Sequence, residues 1–163
     1  MANRRPSSAE ELADRCRAAG LVLERPVTPQ DLDRTLAALR AWEQVVDACD
    51  ERERAELVNR MLAAAAAYPR LTDHAGDGWH LHYRAERQPL GSVLLSLISV
   101  GTALHLAGRG MHRLRRCAVT GCAVIFADTS RTGRQRYCSQ RCANRDAVRR
   151  HRARAGCAVG EPA

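Results

Sequence analysis

Residues 116–142 read RCAVTGCAVIFADTSRTGRQRYCSQRC, and the four cysteines in this stretch decide how this part of the chain folds. Cys117 and Cys122 are separated by four residues, Cys138 and Cys142 by three, and the fifteen residues 123–137 lie between the two pairs. Two close pairs at this interval match the spacing of a zinc site. Four thiolates close a tetrahedral shell at roughly 2.3 Å per bond and leave no position for water, which defines a structural rather than a catalytic ion. Such an ion supplies an apparent ~10–16 kcal/mol to a segment too small to fold on its own apolar core. The alternative is two disulfides or four independent thiols. The closeness of each pair and the arginine-rich segment that follows weigh against it.

Between and beyond the cysteines the residues suggest a local layout. Thr120 and Gly121 fit a tight knuckle joining Cys117 to Cys122, and Val124, Ile125 and Phe126 read as a strand. Residues 130–133 read as a turn and Gln135 to Tyr137 as the return strand. Ser139 is placed as an N-cap, with Cys142 in the first turn of a helix that runs to about Ala155 and stops at Gly156. Apart from Ala143, Ala147 and Val148 that helix has no apolar face, so its order must come from the metal and from docking. Knuckle, hairpin and helix together form a treble-clef-like layout. Asp128, beside Thr129 and Ser130, reads as a turn cap rather than a catalytic carboxylate.

The net charge of +8 is unevenly placed. Up to residue 108 there are 13 arginines against 15 acidic residues; from Arg109 onward there are 13 against three, so the basic excess belongs to the finger and its flanks. A concentrated excess of this kind points to a polyanionic partner. On a helix Arg141, Arg145, Arg149 and Arg152 share one face, while Arg150 and Arg154 form a second row. Guanidinium groups on a metal-anchored helix suit phosphate contact, with the steep salt dependence that counterion release brings. Asn144 and His151 have side chains able to reach base edges, and each reads as readily as a cap or surface residue. Solvated arginines, or arginines that balance the formal −2 of a zinc tetrathiolate, are the plainer reading; Arg131, Arg134 and Arg136 suit the balancing role best. The sequence shows no glycine-rich phosphate loop and no nucleophile–base pair, so no enzyme is expected.

Upstream the pattern is mainly helical. Residues 1–7 are expected as a disordered tail, as are 157–163. Ser8 with Glu11, Thr28 followed by Pro29, and Asp50 with Glu53 are N-terminal helix signatures. They open helices whose inner faces carry Leu12 and Cys16, then Leu32, Leu36, Leu39, Val46 and Cys49, then Leu57, Val58, Met61 and Leu62. Cys16 and Cys49 are accordingly expected as small core residues. Residues 70–84 read as a β-hairpin around a turn at 75–78, with His74 in the turn and His80 and His82 on one strand face. A His-x-His strand pair is more often an ordinary packed pair than a metal site. Leu90 to Ala107 is apolar nearly all round, which predicts a central helix surrounded by protein. The one long apolar run, residues 93–106, is interrupted by Ser96, Ser99, Gly101, Thr102 and His105 and is short of the ~20 residues of a membrane span, so no membrane partner is expected. No leader-like apolar segment opens the chain, and free thiols fit a reducing cytoplasm.

A family resemblance extends this reading. The run Cys117, Phe126-Ala-Asp128-Thr-Ser130-Arg131, Tyr137-Cys138-Ser139 and Cys142-Ala-Asn144-Arg145 resembles the CGNR-type zinc finger. Glu56-Leu-Val-Asn-Arg60, the alanine run, Tyr68-Pro69, the His/Gly/Asp hairpin and the helix into Arg113-Leu-Arg-Arg-Cys117 resemble the companion ABATE domain. Ala143 stands where the finger family has glycine, and the second cysteine pair is one residue tighter than its pattern. The resemblance implies a stress-induced bacterial transcription regulator. The expected protein is α+β: a mainly helical ABATE-like domain over 8–112 with one small β-hairpin, then a treble-clef-like finger over 113–156 with one structural Zn2+. DNA is the expected partner. A protein-interaction module, a zinc-dependent redox switch and a nuclease are the rival functions. Homo-oligomerisation and a small ligand of the N-terminal domain stay open.

Overall fold

The structure is a computed structural model that describes residues 2–65, 67–73 and 78–157, the last three by their backbone alone. The architecture is α+β, and the chain divides into two compact units, Met1–Met111 and His112–Ala163.

The first unit holds α1 (Ala9–Ala18), α2 (Pro29–Asp47), α3 (Glu51–Ala65), a hairpin of β1 (Arg70–Thr72) and β2 (His80–His82), and α4 (Leu90–Arg109). The helix starts follow the caps written in the sequence. Ser8 Oγ accepts from the N–H of Glu11 at 3.1 Å, Thr28 and Asp31 form a reciprocal capping box, and Asp50 Oδ1 accepts from the N–H of Glu53 at 2.8 Å. Helix α4 has no side-chain cap of its own at Pro89. Its Gly91 N–H is instead taken by Asp31 Oδ1 of α2 at 2.8 Å. Helices α2, α3 and α4 pack on one another and α1 packs on α2. Leu94, Ser96, Ser99, Thr102 and Leu106 turn the buried face of α4 inward. Two polar ties fix it there: Trp42 Nε1 donates to Thr102 Oγ1 at 2.9 Å, and Ser96 Oγ donates to the Ala65 carbonyl at 2.6 Å. The Arg54 guanidinium of α3 donates to the Val45 and Val46 carbonyls, 3.0 Å each, and so satisfies the C-terminal end of α2.

Several expectations are corrected. Helix α4 is not surrounded by protein: Leu97 is 49% and Leu104 60% exposed, because α2 and α3 cover one flank only. With 20 residues it is also long and apolar enough, by length and composition, to cross a membrane; counting 93–106 alone underestimated it. The hairpin forms with Leu71 opposite Leu81, yet Leu71, Trp79 and Leu81 face outward rather than into the core. Its expected turn at 75–78, with His74, lies outside the described residues except for Gly78. Cys16 is buried as expected, but Cys49 is exposed, because α2 ends at Asp47 before the apolar stripe reaches it. Residues 2–7, expected as a tail, make specific contacts: Pro6 is buried and Arg5 pairs with Glu43 at 2.6 Å. At the other end α5 (Gln140–Cys157) runs past Gly156, its expected stop, to Cys157, the first residue of the expected tail; residues 158–163 lie outside the described residues.

The second unit contains β3 (Leu114–Arg116), β4 (Ile125–Ala127) and α5 (Gln140–Cys157). The strands pair antiparallel with Arg115 opposite Phe126. This differs from the expected hairpin: β4 pairs with the residues before Cys117, and 135–137 are irregular. Pairing β3 with β4 lets the Cys117–Cys122 knuckle serve as the hairpin's own turn. That brings both cysteines to one end of the ladder without a further strand.

Candidate metal centre

The knuckle is held by its backbone. Cys117 N–H donates to the Val124 carbonyl and Cys122 N–H to the Val119 carbonyl, each at 2.9 Å, while Ala118 N–H ties the knuckle to the Arg136 carbonyl at 2.9 Å. Gly121, at φ +78, takes the left-handed turn that a side chain would strain. The second pair is carried by the start of α5. Ser139 Oγ accepts from Cys142 N–H at 3.3 Å and the Ser139 carbonyl from Ala143 N–H at 3.1 Å, so Ser139 is the N-cap that the sequence indicates. Ala143 lies within α5.

The four sulfurs converge: their ligand atoms all lie within 4.8 Å of one another. Cys138–Cys142, Cys122–Cys142 and Cys122–Cys138 are 3.6, 3.8 and 3.9 Å apart. Four sulfurs at about 2.3 Å from one ion stand ~3.8 Å apart along a tetrahedron edge, so the donor set matches zinc. A disulfide needs sulfurs at about 2.05 Å, which none of these pairs approaches. The quartet is the one group of three or more potential metal-ligating side chains among the described residues. It forms a site for one structural zinc ion. Burial raises the Cys138 thiol, to about 12, and the neighbouring Cys142, Cys117 and Cys122 thiols push the same way. Burial also disfavours the Cys117 thiolate, but N–H donors from Cys138 and Val119, together with the Cys138 and Cys122 thiols, outweigh it and bring that thiol down to about 7. A dication removes the conflict, because it makes every sulfur more stable as thiolate.

Asp128 organises the loop between the pairs. It is wholly buried. It accepts from Ser130 N–H at 2.9 Å, from the Ser130 hydroxyl at 2.5 Å and from Gln135 N–H at 3.0 Å, and Arg113 stands 3.7 Å away. Burial alone would raise its carboxyl; the Ser130, Gln135 and Arg113 interactions together hold it below the usual carboxylate range. The Arg113 guanidinium lies against Gly133, where a Cβ would come within 2.6 Å of its Cζ. Asp128 is thus a turn cap, as its place beside Ser130 suggests, and a buried charge with its partners supplied.

The arginines of α5 fall into two groups. Asp146, nearly buried, accepts from the Tyr137 hydroxyl at 2.8 Å and pairs with Arg149 at 2.7 Å and Arg150 at 3.0 Å. The Arg149 and Tyr137 hydrogen bonds keep its carboxyl below the ordinary range. Arg141, Arg145 and Arg152 have no acidic partner among the described residues and lie within ~40° of one another around the helix at 100° per residue. Val148, 51% exposed, sits in the same stripe. Arg154 falls on another side, and the Asn144 side chain accepts from Gln140 at 2.8 Å. Sequence reasoning missed Asp146, although an acid three and four residues before two arginines is a readable signal. It also missed Leu114–Arg116 as a strand, because two of those three residues are charged. Away from the finger, His80 and His82 bring their Nε2 atoms to 3.1 Å.

A family model for the CGNR zinc finger matches residues 113–155. A second, ABATE, described as "Putative stress-induced transcription regulator", matches residues 4–116. No curated relative matches the chain.

Proposed function

From the premise that this chain belongs to the ABATE family of stress-induced transcription regulators and carries a CGNR zinc finger, we propose that it regulates transcription by binding DNA through α5. The observation that carries the proposal is the stripe of Arg141, Arg145 and Arg152, which no acidic group in the described finger neutralises. Zinc fixes the first turn of α5 through Cys138 and Cys142, so the stripe is presented on a rigid support. Phosphate oxygens are the natural acceptors for such guanidinium groups, whose planar forks match them. Val148 within the stripe supplies an apolar contact to sugar or base. Arg149 and Arg150, tied to Asp146, serve the finger's own order first.

The zinc is structural in this reading and the protein is not an enzyme, because four thiolates leave the ion no position for substrate. Cytoplasmic residence follows from the DNA partner and the reduced thiols. The test is duplex DNA binding by the full zinc-loaded chain across a salt series. Replacing Arg141, Arg145 and Arg152 by alanine should flatten the log K against log salt slope by about 0.9 per lost contact, roughly 3 in all. An unchanged slope in a variant that keeps its zinc would refute the proposal. Capture of a nuclease-resistant protein partner without any DNA shift would favour a protein-docking finger.

A further inference from the structure

Of the seven exposed large apolar side chains described in the first unit, Tyr68, Leu71 and Trp79 lie elsewhere, but Val22, Leu81, Leu97 and Leu104 line one cavity of about 1100 Å³. Its floor is the flank of α4 that the bundle leaves open. Leu90, Val93, Leu97, Val100 and Leu104 recur there at helical spacing, a stripe of ~21 Å at 1.5 Å per residue. The segment 20–26 and strand β2 supply other parts of its lining. An apolar patch of this kind, gathered in a concavity, marks a binding site more often than a solvated surface.

Arginine outnumbers acid in the charged part of the lining. Arg25, Arg34, Arg84 and Arg87 contribute to it, against Glu24 and Asp31. Asp31 is already engaged: Oδ1 takes Gly91 N–H, and Oδ2 takes the Thr28 N–H and hydroxyl. Arg25 donates to the Arg87 carbonyl, which brings these two basic residues together just before α4 begins. Arg87 holds φ +53, a backbone angle that a non-glycine residue adopts at a cost. Beside it the Gln88 Oε1 is buried without a hydrogen-bond partner.

From this arrangement we propose that the cavity binds an amphipathic organic anion, its apolar body along the open flank of α4 and its carboxylate or equivalent head among Arg25, Arg84 and Arg87. Charge decides between this occupant and a second copy of the chain. A two-fold interface over the same face would press together two surfaces that each carry a net positive charge. An organic anion supplies both what the leucines and what the guanidinium groups lack. The proposal concerns the first unit alone and does not rest on nucleic-acid contact by the second.

The experiment is isothermal titration of the full zinc-loaded chain with three probes of equal tail and different head: decanoate, decan-1-ol and decyltrimethylammonium. Decanoate should bind one per chain and about tenfold more tightly than decan-1-ol, as one charge-assisted contact requires, with the cation weakest. Arg84→Ala combined with Arg87→Gly, the latter because glycine accepts a positive φ, should bring decanoate down to the affinity of decan-1-ol and leave decan-1-ol unchanged. Leu97→Asp with Leu104→Asp, both at exposed positions, should weaken decanoate and decan-1-ol alike. Equal affinity for all three heads would overturn the proposal, as would decanoate binding indifferent to either variant pair. A dimer of the ligand-free chain that Leu97→Asp with Leu104→Asp dissociates would overturn it too, by showing a second copy on this face.

Discussion

Asp31 Oδ1 accepts the backbone N–H of Gly91 at 2.8 Å, so one carboxylate caps the first turns of two helices sixty residues apart. Its other oxygen completes the α2 capping box with Thr28. The contact is possible because residue 91 has no side chain: a Cβ there would stand 2.7 Å from Arg34 Cβ and 2.9 Å from the Asp31 carbonyl oxygen.

Asp31→Ala should therefore destabilise the first unit by roughly 2–4 kcal/mol, the sum of a lost cap and an orphaned buried N–H. Gly91→Ala should cost about 1–3 kcal/mol through overpacking. Urea unfolding followed by tryptophan fluorescence measures both, and zinc content should be unchanged in each. A loss under 0.5 kcal/mol for Asp31→Ala would show that the shared cap matters little.

The same carboxylate gives the first unit an acid limb. Burial would raise the Asp31 carboxyl, but the Gly91 and Thr28 hydrogen bonds and the Arg34 charge together depress it in the folded state. A depressed folded value means stability that is fully present above the unfolded value, ~3.9, and lost as pH falls through the lower folded value. Unfolding midpoints of the first unit should fall below about pH 4 in the wild type. They should fall less in Asp31→Ala, whose curve starts lower and runs flatter.

Removing the metal should melt the second unit and spare the first. Helix α5 has no buried apolar face, and most of a helix's stability in a protein comes from packing such a face. Chelation at neutral pH, or Cys117→Ser, should abolish bound zinc and lower far-ultraviolet helicity by about the share that α5 contributes, while the tryptophan-monitored transition stays in place. Retention of that helicity in zinc-free protein would contradict the structural role of the ion.

Asp128→Ala should cost the finger about 3–5 kcal/mol, since it strips partners from Arg113, Ser130 and Gln135 within a buried site. Competition with a chelator is the direct readout: the variant should lose zinc at a chelator concentration at least tenfold lower than wild type.

Asp146→Ala should act in the opposite sense on DNA. It releases Arg149 and Arg150 from their ion pairs, so non-specific duplex binding should tighten and its salt slope steepen, by up to about 0.9 for each arginine that reaches a phosphate. Weaker binding with zinc retained would instead show that the Tyr137–Asp146 hydrogen bond orients α5 for contact.

The sequence by itself determined the elements whose cause is local. Ser8, Thr28, Asp50 and Ser139 cap helices through atoms three residues away, and the spacing of the two cysteine pairs points to a metal site. Composition likewise placed the basic excess on the finger. Tertiary structure decided what depends on residues distant in the chain. Pairing Leu114–Arg116 with Ile125–Ala127, rather than folding 125–127 onto 135–137, follows from how the knuckle closes. The partition of α5 into bound and unpaired arginines follows from where Asp146 and Tyr137 meet. The apolarity of α4 announced burial all round, yet its neighbours cover only one flank, because how many elements pack around a helix is a property of the whole assembly rather than of the helix.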